Sequence, residues 1–531
     1  MRLVHAGPNA RYLVFEEPPS RALSRRIGAA ARALRRALPT GEHDVVPGYA
    51  DILVEGRRPV PDAWLLEAGA GASRMTAPED EPRSFVVPVD YGDRADVGPL
   101  EERLGLPWDE IVALHSAPTY SVAYLGFTPG FPYLHGLNPR LATPRRERPR
   151  QSVPAGAVAI ANGQAGIYPS TGPGGWWLLG TTDFGLFDPE RPEPTALRTG
   201  DELRFVQGGP GAAGDHTKLP SSHPTSELQV EPLVEVLEVW PGSASLQGRP
   251  RLGVGHHGLA DAGALDQALF LSLSFAVGAP LGEAALELTV PHALLRARSK
   301  TPAAFGGAAE ARLEGKPLEP GRPFEWRAGE TLEFRPPPKG PRRLAGVPLL
   351  VVAGGFAPLG GPVGHPDLAV GGSTDVRGRV GGFGRWLCPG DVLAQAALPS
   401  RPPAGPAALG HYRPELALRL HPGPHHEVRA FAALQTRTFV VSERSRMGVR
   451  LEFSCRAAEA DTEASILSTG MPLGAVQLPP DGRPLVLLAD RGRTGGYPVV
   501  GVVDRADLAA LAQARPATKV RFLVPGEHAS F

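Results

Sequence analysis

Between His115 and Arg150 the chain gathers residue types that could do chemistry. His115 and Tyr120 precede the run Gly126-Phe127-Thr128-Pro129-Gly130-Phe131-Pro132-Tyr133-Leu134, and Arg145 and Arg150 follow it. An imidazole titrates near neutral pH and can move a proton, while paired guanidiniums can hold a carboxylate or phosphate through forked hydrogen bonds. Next comes a glycine-rich loop, Thr171-Gly172-Pro173-Gly174-Gly175-Trp176. Adjacent glycines such as Gly174 and Gly175 tolerate positive φ and let a ligand come close to main-chain amides. A second loop of this kind, Arg493-Thr494-Gly495-Gly496-Tyr497-Pro498, lies near the C-terminus with Gln477, Asp490-Arg491 and the pair Arg446 and Arg450 upstream of it. Anion binding is the chemistry these glycine–arginine groups suggest.

A third group holds Gln247, Arg251, His256, His257 and Asp266, with Glu287 further on. Neighbouring residues on a strand point to opposite faces, so His256 and His257 are not expected to share an ion, and no metal site is expected. Asp375 and the run Gly381-Gly382-Phe383-Gly384-Arg385 form one more glycine–arginine group. No GxxxxGK[ST] phosphate loop, GxSxG elbow or HExxH helix occurs. Any ATP site is therefore of another type, and no serine nucleophile announces itself. The two cysteines, Cys388 and Cys455, form neither a disulfide framework nor a CxxC metal site.

The elements that must position these residues are mostly strands. The chain has 65 glycines and 59 prolines, about a quarter of its 531 residues, and they punctuate short Val/Leu/Phe runs. Residues 1–84 read as a small α/β domain. Its helix is capped by Ser20, carries Leu23, Ile27, Ala31, Leu34 and Leu38 at helical spacing, and stops at Pro39. The arginines of this helix (Arg25, Arg26, Arg35, Arg36) read as a solvated face. Residues 85–206 read as a β barrel with one helix between Pro99 and Leu114. Residues 207–232 are a polar linker, and 233–398 and 399–531 are two further β-rich barrel domains, with a helix near Asp266–Val277.

The two glycine-rich loops share their surroundings. Ala155-Gly156-Ala157-Val158 upstream of the first matches Leu473-Gly474-Ala475-Val476 upstream of the second. Leu203-Arg204-Phe205-Val206 downstream matches Val520-Arg521-Phe522-Leu523. The repeated unit is a β barrel or sandwich, used three times. Formal net charge is zero, which gives no electrostatic footprint for nucleic acid or an anionic membrane. With no charged-then-apolar leader and no long apolar stretch, the chain reads as soluble and cytoplasmic.

These motifs resemble a known pair of proteins. HSAPTYSVAYLGFTPGFPYLHGL (115–137), PRRERPRQSVPAGAVAIANGQAGIYP (144–169) and GPGGWWLLG (172–180) are similar to the B-type subunit of bacterial 5-oxoprolinase, the Kip-type inhibitor family. GHHGLADAGALD (255–266), LVVAGG (350–355), STD (373–375), SRMGVRL (445–451) and LLADRGRTGGYP (487–498) are similar to its C-type subunit, the Kip-antagonist type. The chain resembles a fusion of the two, related to the carboxyltransferase part of urea carboxylase. The resemblance implies mainly β architecture with cyclophilin-like barrels and an α+β N-terminal domain. It implies ATP-dependent opening of 5-oxoproline to glutamate, with Mg2+ and a separate A-type subunit. It also places His115, Arg145, Arg150, His256 and Asp266 in catalytic roles. Tyr120, Gly174, Gly175, Trp176, Gln247, Arg251, Arg446, Arg450, Gln477, Gly495, Gly496 and Tyr497 are then binding residues. Two alternatives stay open: a regulator of a histidine kinase, and a carboxyltransferase using carboxybiotin with partners in trans. A homo-oligomer fits any of these. The second half departs from the family at Gly248, where the family carries an acidic residue, at Ala262 (Ser in the family), at Ser274 and Ala279 (Asn) and at Thr469 (Glu), and the first half departs at Thr181 (Arg).

Overall fold

The computed structural model describes residues 1–72, 81–92, 96–188, 191, 193–208, 231–336, 346–358, 386–409, 414–426, 428–454 and 466–525. Asp375, the 381–385 run, the STD motif and Cys455 lie outside the described residues.

The N-terminal unit is an antiparallel sheet in the order Arg2–His5, Ala10–Val14, Asp51–Gly56, His43–Pro47. Helix Arg21–Ala37 begins where expected: the Ser20 hydroxyl accepts from the Leu23 amide at 3.1 Å. Strand alternation then sends side chains two ways. Leu13, Ile52, Val54 and Val45 meet Leu23, Ile27, Ala30 and Leu34 of the helix. Tyr12, Leu53 and Val46 pack on Met471, Ala475, Leu487, Val499 and Val502 of the last unit. Both faces of this small sheet are therefore covered, the second by a segment more than four hundred residues away.

The next unit is a seven-stranded sheet: Trp177–Thr181, Ala157–Ala161, Gln164–Ile167, Pro132–His135, Tyr120–Leu125, Glu202–Gln207, Ser84–Val89. A bridge between Asp90 and Thr181 joins its two ends into a barrel. The last unit is a closed barrel of Glu415–Pro422, Val499–Val503, Ala475–Gln477, Leu485–Leu487, Gly448–Phe453, Thr438–Arg444 and Lys519–Leu523. The two share a plan. In each the closing strand runs parallel to the opening one, Glu202–Gln207 on Ser84–Val89 and Lys519–Leu523 on Glu415–Arg419. In each the glycine-rich loop pairs with a short strand outside the barrel, Gly172–Gly174 with Arg150–Val153 and Thr494–Gly495 with Thr469–Gly470. The repeat read from the sequence is thus a repeat of barrels seen twice, and the third copy expected in 233–398 is corrected: the described strands there form two packed sheets.

The expectation of a single helix between Pro99 and Leu114 is corrected to two, Val97–Leu104 and Trp108–Ser116. Gly105 ends the first in the left-handed region at φ 63°, and Pro107 starts the second.

Between the barrels lie a seven-stranded and a five-stranded sheet around one core. Leu246, Leu286, Phe305 and Leu350 of the smaller sheet face Val234, Leu295, Leu332 and Phe334 of the larger. The smaller sheet's other face, with Ala285, Ala304, Leu349 and Val351, takes helix Gln267–Val277 through Leu269, Phe270 and Leu273.

Candidate functional site

The first glycine-rich loop lines a cavity of about 210 Å³ together with Phe127, Phe131, Tyr133, Arg145, Pro149, Tyr168 and Trp176. Its walls are aromatic and edge-to-face. Trp176 lies 5.5 Å from Phe131 and 5.7 Å from Tyr133, and Phe131 lies 5.2 Å from Tyr168, centroid to centroid. Gly174 has no room for a side chain, since a Cβ there would stand 2.3 Å from the Tyr168 hydroxyl oxygen. Gly175 has open space on its side, with the nearest heavy atom 3.8 Å from a built Cβ. Phe127 holds φ at 61°, a strained value for a bulky residue, and remains partly exposed at the mouth.

That strain sits where the two halves of the chain grip one loop. Gly126 abuts Thr494 of the second glycine-rich loop so closely that a Cβ would sit 1.8 Å from the Thr494 hydroxyl. The Gly130 amide donates to the His257 carbonyl at 2.9 Å. The loop Gly126–Gly130 is thus held from both sides by the second half. Residues of both halves shape the pocket, although its lining comes from the first.

The two arginines of this region differ in what they can offer a ligand. Arg150 is held at 2.5 Å by Asp96, which also takes Arg146 at 2.6 Å and the Leu178 amide at 2.8 Å. Asp96 is fully buried, so Arg150 is committed to the fold. Arg145 has no ion pair among the described residues, is exposed, and lines the pocket. It is the guanidinium available to an anion here.

His115 and Tyr120 are elsewhere. His115 ends helix Trp108–Ser116 inside the first barrel, stacked on Phe205 at 4.5 Å with Nδ1 2.7 Å from the Tyr91 hydroxyl. Tyr120 donates to the His115 carbonyl at 2.8 Å. Burial pushes the imidazole down to about 3 from its ordinary 6.5, and the side chain has no solvent exposure. The proton-transfer role expected of His115 is not supported by this position: the ring is a neutral core group. Because its folded pKa lies below the unfolded one, the unfolded state binds the extra proton between pH 3 and 6.5, and stability falls as pH drops through that window. Going from pH 7 to pH 5 should cost about 2 kcal/mol from this residue alone. His115→Phe should remove that part of the pH slope, whatever it costs at pH 7, as read by urea unfolding at both values.

In the second half the predicted anion pocket is corrected. Arg446 is saturated: Nε and Nη2 donate to Asp490 at 2.9 Å each, Nη1 to Glu287, and Nη2 to the Gly263 carbonyl at 2.7 Å. Arg450 makes a surface pair with Asp481 at 3.2 Å. The structure does not bring either to Gly495–Gly496. Gln477 does reach that loop, its amide contacting the Met471 sulfur at 3.3 Å beside Gly495, and Tyr497 is exposed at the loop's end. Asp266 caps its helix by accepting from the Leu269 amide at 2.9 Å and from Gln513 at 3.2 Å. Gln247 is buried and donates to Ser245 at 3.0 Å, and Arg251 is buried in the turn that pairs with Asp261.

His256 and His257 lie in a 3-10 turn, Gly255–His257, and not on a strand. Their rings come within 3.8 Å, and with Glu193 they bring three donor atoms within 4.8 Å of one another, so the opposite-face argument is corrected. The residues that sequence reasoning missed are carboxylates. Asp44, Glu55 and Asp261 are buried against Arg491 and Arg493: Arg491 meets Glu55 at 2.7 Å and Asp261 at 2.8 Å, and Arg493 meets Asp261 at 2.5 Å and Asp44 at 3.1 Å. A charged residue inside an apolar strand run, as Asp44 and Glu55 are, was the available signal.

With this geometry, the class follows. Residues 1–197 match the carboxyltransferase domain, subdomains C and D, and residues 257–524 match its subdomains A and B. The chain belongs to the carboxyltransferase-domain family, with both pairs of subdomains in one polypeptide. Within it, the relatives are specific. The first part is similar to the B-type subunit of 5-oxoprolinase from Escherichia coli, 41% identical over 206 residues, 38% of this chain and 93% of that protein. The second part is similar to the C-type subunit of 5-oxoprolinase from Haemophilus influenzae, 29% identical over 301 residues, 55% of this chain and 90% of that protein. The crystal structure of TTHA0988 resembles the whole chain, with 39% identity, a TM-score of 0.80, and coverage of 97% of this chain and 99% of that one. No helix among the described residues is long and apolar enough to cross a membrane.

Proposed function

We propose that this chain is a 5-oxoprolinase component that combines the B-type and C-type subunits and opens the lactam of 5-oxoproline to glutamate with a separate A-type subunit. The observation that carries it is coverage: one chain spans nearly the full lengths of a B-type relative and a C-type relative. The pocket suits the substrate. A small five-membered ring fits an aromatic cavity of about 210 Å³, and Arg145 at its rim would take the carboxylate. The open face of Gly175 leaves its backbone approachable where charge develops on the carbonyl oxygen.

An unstrained lactam is a poor electrophile, and ATP with Mg2+ supplies the activating phosphoryl group when bound. Its phosphates call for several cationic donors about one cavity, and Arg32, Arg35, Arg36, Arg83 and Arg198 line such a cavity together with His256. Arg145 orients the ring, and the aromatic walls exclude water from it. Titrating the chain with 5-oxoproline should quench fluorescence of Trp176, and Trp176→Leu should remove that change; no binding in the presence of ATP and an A-type subunit would count against the reading. The carboxyltransferase alternative, with biotin as its cofactor, has the family match in its favour, and transfer of label from carboxybiotin to a small acceptor would favour it instead. Altered autophosphorylation of a histidine kinase would favour the regulatory alternative.

A further inference from the structure

A second cavity, of about 340 Å³, opens where helix Arg21–Ala37, the Thr195–Thr199 segment and the Gly255–His257 turn meet. Five guanidiniums line it: Arg32, Arg35, Arg36, Arg83 and Arg198. Some of these are anchored to protein. Arg32 donates to the Thr199 carbonyl at 3.0 Å, and Arg83 holds Asp201 at 2.5 Å, with Arg198 3.4 Å from the same carboxyl group. Arg35 makes no hydrogen bond or ion pair among the described residues. The opposing charge it feels is that of Glu193, whose side chain is 82% exposed at the rim. Burial, with repulsion from Arg32, Arg36 and Arg198 and against the pull of Glu193, pushes Arg35 down to about 10. In the same lining the buried Nδ1 of His256 has no partner among the described residues. Burial, with the cation Arg35 beside it, holds the His256 imidazole neutral.

Crowding like charges about a cavity is unfavourable unless something of opposite charge enters it. The approach is built in. Gly28 lets the helix close on the Thr199 carbonyl, which would lie 2.2 Å from a Cβ at that position. A divalent metal on Glu193, His256 and His257 would sit among the arginines, and His257 Nδ1 is already engaged by the Thr195 hydroxyl at 2.7 Å. An anion suits the surroundings better. Phosphate oxygens accept from several guanidinium forks at once and carry up to two charges per group.

We infer that this cleft is a binding site for a phosphate-bearing anion, with Arg35 as its principal free donor and the His256 side chain as part of its wall. The site rests on its own charge and geometry and does not depend on 5-oxoproline being the substrate.

The test is calorimetric titration of the whole chain, without any A-type partner, using inorganic pyrophosphate at low salt. Binding at or below about 1 mM is expected, weakening as salt is raised. Arg35→Ala should weaken it at least about tenfold. Arg26→Ala, on the same helix but paired with Glu17 at the surface at 2.6 Å, should leave it unchanged. His256→Glu gives a second variant on a different element; it puts a negative charge into the lining and should also weaken binding. ATP competing for the same site would identify a nucleotide as the phosphate source, and pyrophosphate alone a free polyphosphate. The inference is overturned by absence of pyrophosphate binding, by equal losses in the Arg35 and Arg26 variants, by tighter binding of citrate than of pyrophosphate, or by Zn2+ binding that His256→Gln removes while pyrophosphate does not bind.

Discussion

Replacing Arg493 by Met should destabilise the chain by about 3–5 kcal/mol, more than any single surface change. Arg493 is fully buried and ties Asp261 at 2.5 Å to Asp44 at 3.1 Å. Asp44 in turn accepts from the Gly253 and Gly255 amides at 2.8 Å each, and Glu55 accepts from the Leu473 amide at 2.8 Å. Three carboxylates from two segments of the chain are balanced by Arg491, Arg493 and, at 3.7 Å from Glu55, Arg505. Removing one guanidinium leaves buried negative charge without compensation, and that desolvation, not the lost pair itself, sets the size of the effect. The arrangement fastens the N-terminal unit to the last barrel next to the Tyr12–Gly470 contact, where the hydroxyl donates to the carbonyl at 2.5 Å. A chain with several cores does not unfold in one step, so the measurement is hydrogen exchange at the Val45 and Val500 strands together with the denaturant midpoint. Arg450→Ala, which breaks an exposed pair, should shift the midpoint by less than about 0.5 kcal/mol equivalent. Similar shifts for the two variants would contradict the clamp.

Arg145→Ala should raise KM for 5-oxoproline about 10- to 100-fold while leaving kcat within a few-fold, because the lost contact is to a carboxylate that does not change during ring opening. Neighbouring arginines differ in what they hold. Arg150 and Arg146 share the buried Asp96, so substituting either disturbs the strand that carries the glycine-rich loop. Arg145 has no such duty and should be removable without loss of fold. Arg145→Lys should recover only part of the affinity, since an ammonium lacks the planar fork. A fall in kcat with KM unchanged would move Arg145 from substrate binding to the reaction itself.

The sequence carried the barrels and the Ser20-capped helix well, because these rest on local patterning, but it merged the two helices that Gly105 and Pro107 separate. Leu23, Ile27 and Leu34 fall on one helical face, and Ser20 and Asp266 cap where their types suggest. It also drew attention to the run that becomes the aromatic pocket, since Phe127, Phe131, Tyr133 and Trp176 sit in the two stretches picked out for chemistry. What it could not carry was partnership across long separations. Arg446 looks like an anion binder until Asp490 and Glu287 are seen to saturate it. Arg35 reads as solvent-facing because the helix alone has only one apolar stripe, and the Thr199 segment and His256 that cover it lie in other units. His115 has the right chemistry in a list of residues and the wrong environment in the barrel, where Phe205 and Tyr91 enclose it. Charge and burial are properties of the assembled chain, and a sequence holds only the residues that will meet them.

Glutamate release from 5-oxoproline by this chain mixed with an A-type subunit, with ATP present or withheld, decides whether the chain is a 5-oxoprolinase component. The expected result is ATP-dependent release that needs both proteins and is not increased by adding separate B-type or C-type subunits. The contradicting result is no release with an A-type subunit that is active alongside its own B-type and C-type partners.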